Sequence, residues 1–386
     1  MRRNEPHTSE AAQPRKRSSL AHALIAVGWV LAALLLWNVL GASGSGAAAT
    51  AVNTNILDTY ERNLTNRASD ILEDVLPVKR TYQLSDADIV APEPNPAGYG
   101  QTDDPAQMRE VLDRAAELLD GQDTLFTTET VLKEDSTIHY YLDDTIFAVT
   151  WKQVVADCVY TFSEVKIADA SQFRRFLADG KYNSGVLYTT TEMSTSVNAV
   201  VAASGDYYGY RSIGIVVNDS HVYRGRGHLL DTCYIDNNGD LLFTYAGEIT
   251  NDEAAQKFVD DNNVRFSLCF GPVMVLDGEF CVPNTYNSGE INNPYARAAL
   301  CQMGQLHYVV VAANFEDIYY HVPTVADFGR NLQALGIPTA YALDGGQTAA
   351  IVMDDQLINA VSYGSQREIS DIIYFATAIP DNEVTK

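Results

Sequence analysis

The strongest pattern in the chain is an unbroken apolar run. Residues 21–40, AHALIAVGWVLAALLLWNVL, contain no Asp, Glu, Lys or Arg. At about 1.5 Å per residue, a helix of that length reaches roughly 30 Å, the thickness of a bilayer's hydrocarbon core. His22 and Asn38 sit near its two ends, and Trp37 suits an interfacial belt. Arg2, Arg3, Arg15, Lys16 and Arg17 precede it, against Glu5 and Glu10. The positive-inside rule then puts residues 1–20 in the cytoplasm as a basic tail, and everything after residue 40 on the far side of the membrane. A cleaved signal peptide is the competing reading. Its apolar region spans only about 7–15 residues, although GASGSGAAA at 41–49 offers small residues for cleavage.

Beyond a Gly/Ala/Ser spacer, Leu57, Tyr60, Leu64, Ala68, Ile71 and Val75 recur at helical steps until Pro77. This predicts a stalk helix with a stripe suited to self-association, too short for a coiled coil. Residues 84–105, with Pro92, Pro94, Pro96 and Pro105, read as a linker. A helix is expected at about 106–120, with Met108, Val111, Leu112, Ala115, Leu118 and Leu119 on one side.

From about residue 130 the period shortens. β-rich runs stand at 136–142, 145–151, 158–167, 185–191, 199–204, 213–218, 240–246, 270–276, 306–314, 338–343 and 349–354. Asn218-Asp219 and Asn238-Gly239 mark turns, and helical patterns fall at 169–179, 251–262 and 324–335. The expected organisation is a tail at 1–20, a transmembrane signal-anchor at 21–40, and a spacer, stalk and linker at 41–129. Residues 130–380 follow as an α+β domain with a mixed sheet, large enough for one core.

Charge narrows the partners. The first forty residues hold 5 of the 26 basic and 2 of the 50 acidic residues, leaving the remainder at −27. Such a surface repels phosphate backbones, so nucleic acid is not a partner. The five cysteines form no C-x-x-C pair, and the seven histidines form no H-E-x-x-H or H-x-H cluster. No metal and no cofactor is expected. DNNGD at 236–240 has its glycine at the fourth position and not the sixth, and no helix flanks it. It reads as a hairpin turn, not a calcium loop.

Three spots follow apolar runs and carry chemistry. The first is Gly205, Asp206, Tyr207 and Tyr208; the second Asn293, Pro294 and Arg297; the third Asp344, Gly345, Gly346, Gln347 and Thr348. Glycine at a strand end lets backbone approach a ligand, and an aspartate there serves as acid, base or nucleophile.

In order, these spots resemble the phosphodiester glycosidase family, over roughly residues 130–380. SGDYY at 204–208 is similar to its NGDYY-like turn. Gly271-Pro272 through Gly278 matches G-P-x-x-V-x-x-G, and PYARAALC puts Arg297 on the family's arginine. Leu343 to Thr348 matches L-D-G-G-Q-T, and Arg367, Ile369 and Ser370 match a closing R-x-I-S. The chain departs from the pattern at Ser204 (Asn in the family), Ala298 (Thr) and Cys301 (Gly). It has Ala312-Ala313-Asn314-Phe315 where the family often carries D-G-R-Q.

The resemblance implies hydrolysis of sugar 1-phosphodiesters. Asp344 and Asp206 would be the carboxylates and Arg297 the phosphate partner, its fork matching phosphate oxygens. A structural salt bridge is the alternative for Arg297. Gly205, Tyr207, Asn293, Gly345, Gly346, Gln347, Thr348 and Arg367 would contact substrate. With the anchor, this predicts a membrane-bound extracytoplasmic hydrolase of envelope or exopolysaccharide glycans. The alternatives are a non-catalytic glycan-binding or assembly protein, or an oligomeric scaffold working through its stalk.

Overall fold

A computed structural model describes residues 83–85, 89–287, 291–316 and 321–379, all within one compact unit, Arg80–Lys386. The expected membrane helix and stalk lie outside the described residues. None of the helices described is long and apolar enough to cross a membrane.

The described residues form a sheet-rich mixed α/β fold. The strands up to residue 236 are β1 Tyr99–Thr102, β2 Ile138–Leu142, β3 Ile146–Val155, β4 Cys158–Ile167, β5 Phe173–Leu177, β6 Val201–Ser204, β7 Gly214–Asn218, β8 His221–Arg226 and β9 Thr232–Asp236. They continue as β10 Leu241–Thr244, β11 Val264–Leu268, β12 Val273–Leu276, β13 Glu279–Phe280, β14 Arg297–Gly304, β15 His307–Asn314, β16 Thr339–Leu343, β17 Ile351–Met353, β18 Gln356–Leu357 and β19 Asp371–Phe375. The α-helices are α1 Pro105–Leu119, α2 Thr190–Ser196, α3 Asp252–Asp261 and α4 Val325–Ala334.

A nine-stranded sheet runs β1-β2-β3-β4-β15-β14-β16-β12-β13, and a five-stranded sheet runs β18-β17-β6-β19-β5. Smaller sheets, β10-β9-β11 and β7-β8, complete the set. The alternating side chains of the large sheet serve two cores. Phe147, Val149, Trp151, Val309 and Val311 pack under α1 and α4, against Met108, Val111, Phe328 and Leu332. Ile146, Ala148, Leu300, Val310 and Tyr341 face the other way, onto Phe173, Val201, Ile351, Ile373 and Phe375 of the five-stranded sheet. Helix α2 covers that sheet's outer face through Met193 and Val197 on Val352, Ile372 and Tyr374. Helix α3 covers Ile215 and Tyr234 through Ala255 and Val259.

Several expectations are corrected. Each pairing described is antiparallel, so the expected mixed sheet is an antiparallel one. Tight hairpins account for part of this, and long returns such as β4 to β15 and β14 to β16 for the rest. Ala156 (φ 49°) and Asp157 (φ 63°), for example, join β3 to β4 as a two-residue turn. The helix expected at 169–179 is a short 3-10 turn followed by β5. The Arg175 side chain in this segment is buried and paired with Asp371. The strand expected at 185–191 is instead a loop with a single bridge from Tyr188 to Ile369, running into α2, whose start is set by a capping box of Thr189 and Glu192. The segment read as a linker contributes β1, which pairs with β2. At 236–240, Asp236 Oδ1 accepts from Asn238 N and Asp240 N, closing a turn between β9 and β10.

Candidate active site

The turn after β6 is built on a buried ion cluster. Gly205 presses against the start of β19, where a Cβ would lie 2.5 Å from Asp371 Oδ2. Asp206 N donates to Asp371 Oδ1 at 3.0 Å. The Asp206 carboxylate turns inward: Oδ1 accepts from Tyr207 N at 2.6 Å, and Oδ2 from both N and Sγ of Cys269 at 2.9 Å. Arg175 of β5 lies between the two acids, with Nε 2.6 Å from Asp371 Oδ2 and Nη2 3.8 Å from Asp206 Oδ2. Its Nη1 caps Val217 O and Ser267 O. Burial raises the Asp371 carboxyl above the usual range, the guanidinium opposes this, and the Asp206 charge adds to it.

Above this base the turn is pinned outward. Arg224 donates to Tyr208 O at 3.2 Å, Arg211 O at 2.5 Å and Gly214 O at 3.2 Å. Tyr207 and Tyr210 stack with centroids 4.8 Å apart. The Arg211 guanidinium lies 5.0 Å over the Tyr207 ring and 4.6 Å over Phe270.

Asp344 follows β16 and lies within electrostatic reach of Arg211, Arg367 and Tyr210. Oδ1 accepts from Gly345 N at 2.9 Å, and Oδ2 is sealed from solvent without a partner among the described residues. Burial pushes the carboxyl up to about 6; the Thr348 hydroxyl, the Gly345 N–H and the charges of Arg211 and Arg367 pull the other way. Arg211 Nη1 is likewise buried and unpartnered among the described residues. An acid and a guanidinium group thus stand close enough to act on each other, each with a bonding position unused.

The remaining expected residues divide. Arg367 reaches the site, with its guanidinium 6.0 Å over the Tyr210 ring and its backbone N donating to Gln347 O. Tyr210 Oη donates to Glu368 O at 2.8 Å, tying this segment to the turn after β6. Gly345 is required for space: a Cβ there would lie 2.2 Å from Ala296 O. Gly346 has φ 70° and donates to Ala296 O. Thr348 Oγ1 closes the loop on Gly345 O at 2.7 Å, and Gln347 Nε2 bonds Ser365 O at 3.1 Å.

Arg297 neighbours this loop across the sheet, where Ala298 pairs with Leu343. Its guanidinium donates to Asn293 O at 2.7 Å and Pro323 O at 3.4 Å, and lies 5.9 Å over the Tyr295 ring. Asn293 is therefore engaged through its backbone carbonyl, as a hold on Arg297.

The structure brings together Asp344, Arg367, Tyr207 and the Gly345–Thr348 loop. Asp206 lies in the core beneath Tyr207, with both its oxygens occupied. Arg211, Phe270, Tyr210, Arg175 and Asp371 were not singled out from the sequence. For Arg211 a signal was present, as the first cation after the SGDYY turn. Among the described residues no group of three or more His, Cys, Asp or Glu side chains is placed to hold a metal ion.

Residues 195–376 match the family model described as phosphodiester glycosidase. Among solved structures, the zebrafish N-acetylglucosamine-1-phosphodiester alpha-N-acetylglucosaminidase catalytic domain, auto-inhibited by its pro-peptide, matches with 14% identity and a TM-score of 0.51. The match covers 68% of this chain and 92% of that one, and speaks for the fold. A hypothetical protein from Synechocystis matches with 13% identity and a TM-score of 0.43, over 60% of this chain and 62% of that one. No curated protein matches the chain.

Proposed function

We propose that this chain, whose residues 195–376 form a phosphodiester glycosidase domain, hydrolyses the glycosyl phosphodiester bonds of envelope or exopolysaccharide glycans while anchored by residues 21–40. The supporting observation is that Asp344, with its unused buried Oδ2, lies within electrostatic reach of Arg211, with its unused Nη1. Reaction breaks the bond from the anomeric carbon to the phosphate oxygen, which keeps the electron pair. Phosphate is a good leaving group, so charge neutralisation matters more than protonation. Arg211 and Arg367 supply that charge. Asp344 supplies an electron pair as its carboxylate, either to water or to the anomeric carbon. Asp206 holds the Tyr207–Arg211 turn rather than touching substrate, and Arg297 sets the 293–297 loop beside Asp344.

Water exclusion by Phe270, Tyr207 and Tyr210 strengthens both charge interactions. Because Asp344 acts ionised, kcat/KM should fall about tenfold per pH unit below about 6. The test is release of free sugar from a panel of sugar 1-phosphodiesters by the purified full chain. Asp344→Asn should abolish it. Arg211→Ala should cost about 10–150-fold in kcat/KM, the worth of one charged hydrogen bond. Wild-type turnover by Asp344→Asn sinks the assignment. Saturable glycan binding without turnover by the unaltered chain favours the non-catalytic alternative.

A further inference from the structure

A cavity of about 210 Å³ lies where the edge pair β1–β2 meets the β17–β18 hairpin, apart from the Asp344 loop. Its polar lining is Gln101, His139, Asp354 and Gln356, and its aromatic walls are Tyr99 and Tyr140. The walls are set in place. A Cβ on Gly100 would lie 2.3 Å from the Tyr140 ring, so the glycine lets that ring lie across the strand. Tyr99 sits edge-on to Tyr141 at 4.6 Å, and Tyr141 Oη is fixed by Asp143 Oδ2 at 2.9 Å and Asn95 N at 3.2 Å.

We propose that this cavity is a remote subsite for one neutral sugar unit of the polymer whose diester Asp344 cleaves. The proposal rests on the glycosidase reading for its polymer. Aromatic walls favour the C–H faces of a pyranose, and carboxamides both donate to and accept from hydroxyls. At about 210 Å³ the cavity is smaller than a pocket for a drug-sized ligand and suits a single sugar residue. Asp354, followed by Asp355, disfavours a phosphate or a uronate, which selects a neutral unit. Asp354 follows Asp344 by ten residues, which bounds their separation at about 35 Å, a length that several sugar units cover.

The experiment titrates the full chain carrying Asp344→Asn, in detergent, with neutral gluco-, manno- and galacto-oligosaccharides by calorimetry. Saturable binding of at least one is expected. Tyr140→Ala and the exposed Gln356→Ala, each added to that chain, should weaken it about tenfold. In the otherwise unaltered chain, Gln356→Ala should leave hydrolysis of a small soluble sugar 1-phosphodiester unchanged and raise KM about tenfold for a polymer. Two results overturn the proposal: no binding at millimolar oligosaccharide, or binding indifferent to Gln356→Ala. Oligosaccharide binding together with no diesterase activity in the chain that keeps Asp344 sinks the catalytic reading and leaves the subsite standing.

Discussion

Asp344→Asn should stabilise the protein at neutral pH while abolishing turnover. Folding lifts this carboxyl from its ordinary 3.8 to about 6, chiefly through burial. Above pH 6 the native state therefore carries a charge it solvates worse than the unfolded chain does. Between about 4 and 6 the native state keeps a proton that the unfolded chain has released. Below about 4 the group is neutral in both. Wild-type stability thus falls as pH rises from 4 to 6 on this group's account. At about 1.36 kcal/mol per pH unit the rise bounds the cost at about 3 kcal/mol, and solvent at the part-open mouth trims it to about 1–3 kcal/mol. The amide removes that cost at every pH. Urea unfolding at pH 4, 6 and 8 measures it: the variant should gain about 1–3 kcal/mol at pH 8 and nothing at pH 4. A gain that did not depend on pH, or a loss at pH 8, would refute a desolvated Asp344.

Two further variants probe the surroundings. Arg175→Met leaves Asp371 and Asp206 buried without their shared cation, and should cost about 3–5 kcal/mol in urea unfolding at pH 8. Less should be lost at pH 5, where Asp371 can take a proton; a cost no larger than that of Arg330→Met on the exposed face of α4 would contradict the buried cluster. Gly345→Ala places a methyl 2.2 Å from Ala296 O, backbone against backbone, and should remove about 2 kcal/mol of stability with most of the diesterase activity. Unaltered kcat in that variant would mean that the loop does not seat Asp344.

Much of the fold was legible because its signals are local. Helices α3 and α4 and the long strands β3, β4 and β15 carry their own period, and the hairpin pairs β2–β3, β3–β4 and β14–β15 follow by short turns. The misreadings occur where a partner distant in sequence decides. Residues 169–179 have helical spacing, with Phe173, Phe176 and Leu177 at three- and four-residue steps. The segment nevertheless becomes β5 because β19 pairs with it, Phe173 opposite Phe375 and Leu177 opposite Asp371. That edge pairing also lets a charged residue face inward, since Asp371 meets Arg175 from 196 positions away. A local pattern contains no term for such a partner.

The site divides by the same logic. Asp206 and Asp344 look alike in sequence: each ends an apolar strand beside glycine and precedes polar or aromatic residues. What separates them is what the far end of the chain brings up. Asp371 arrives 165 positions after Asp206 and receives its N–H, while Cys269 occupies its Oδ2, so the first aspartate becomes part of the core. Asp344 keeps one oxygen unused because its loop bends back on Ala296, spending the Gly345 and Gly346 positions on close backbone packing. The two outcomes depend on each other. The Tyr207–Arg211 turn presents a cation toward Asp344 only while Asp206 and Arg175 hold its base against β19. On the proposed reading, the carboxylate that looked like a second catalytic group acts through the placement of Arg211.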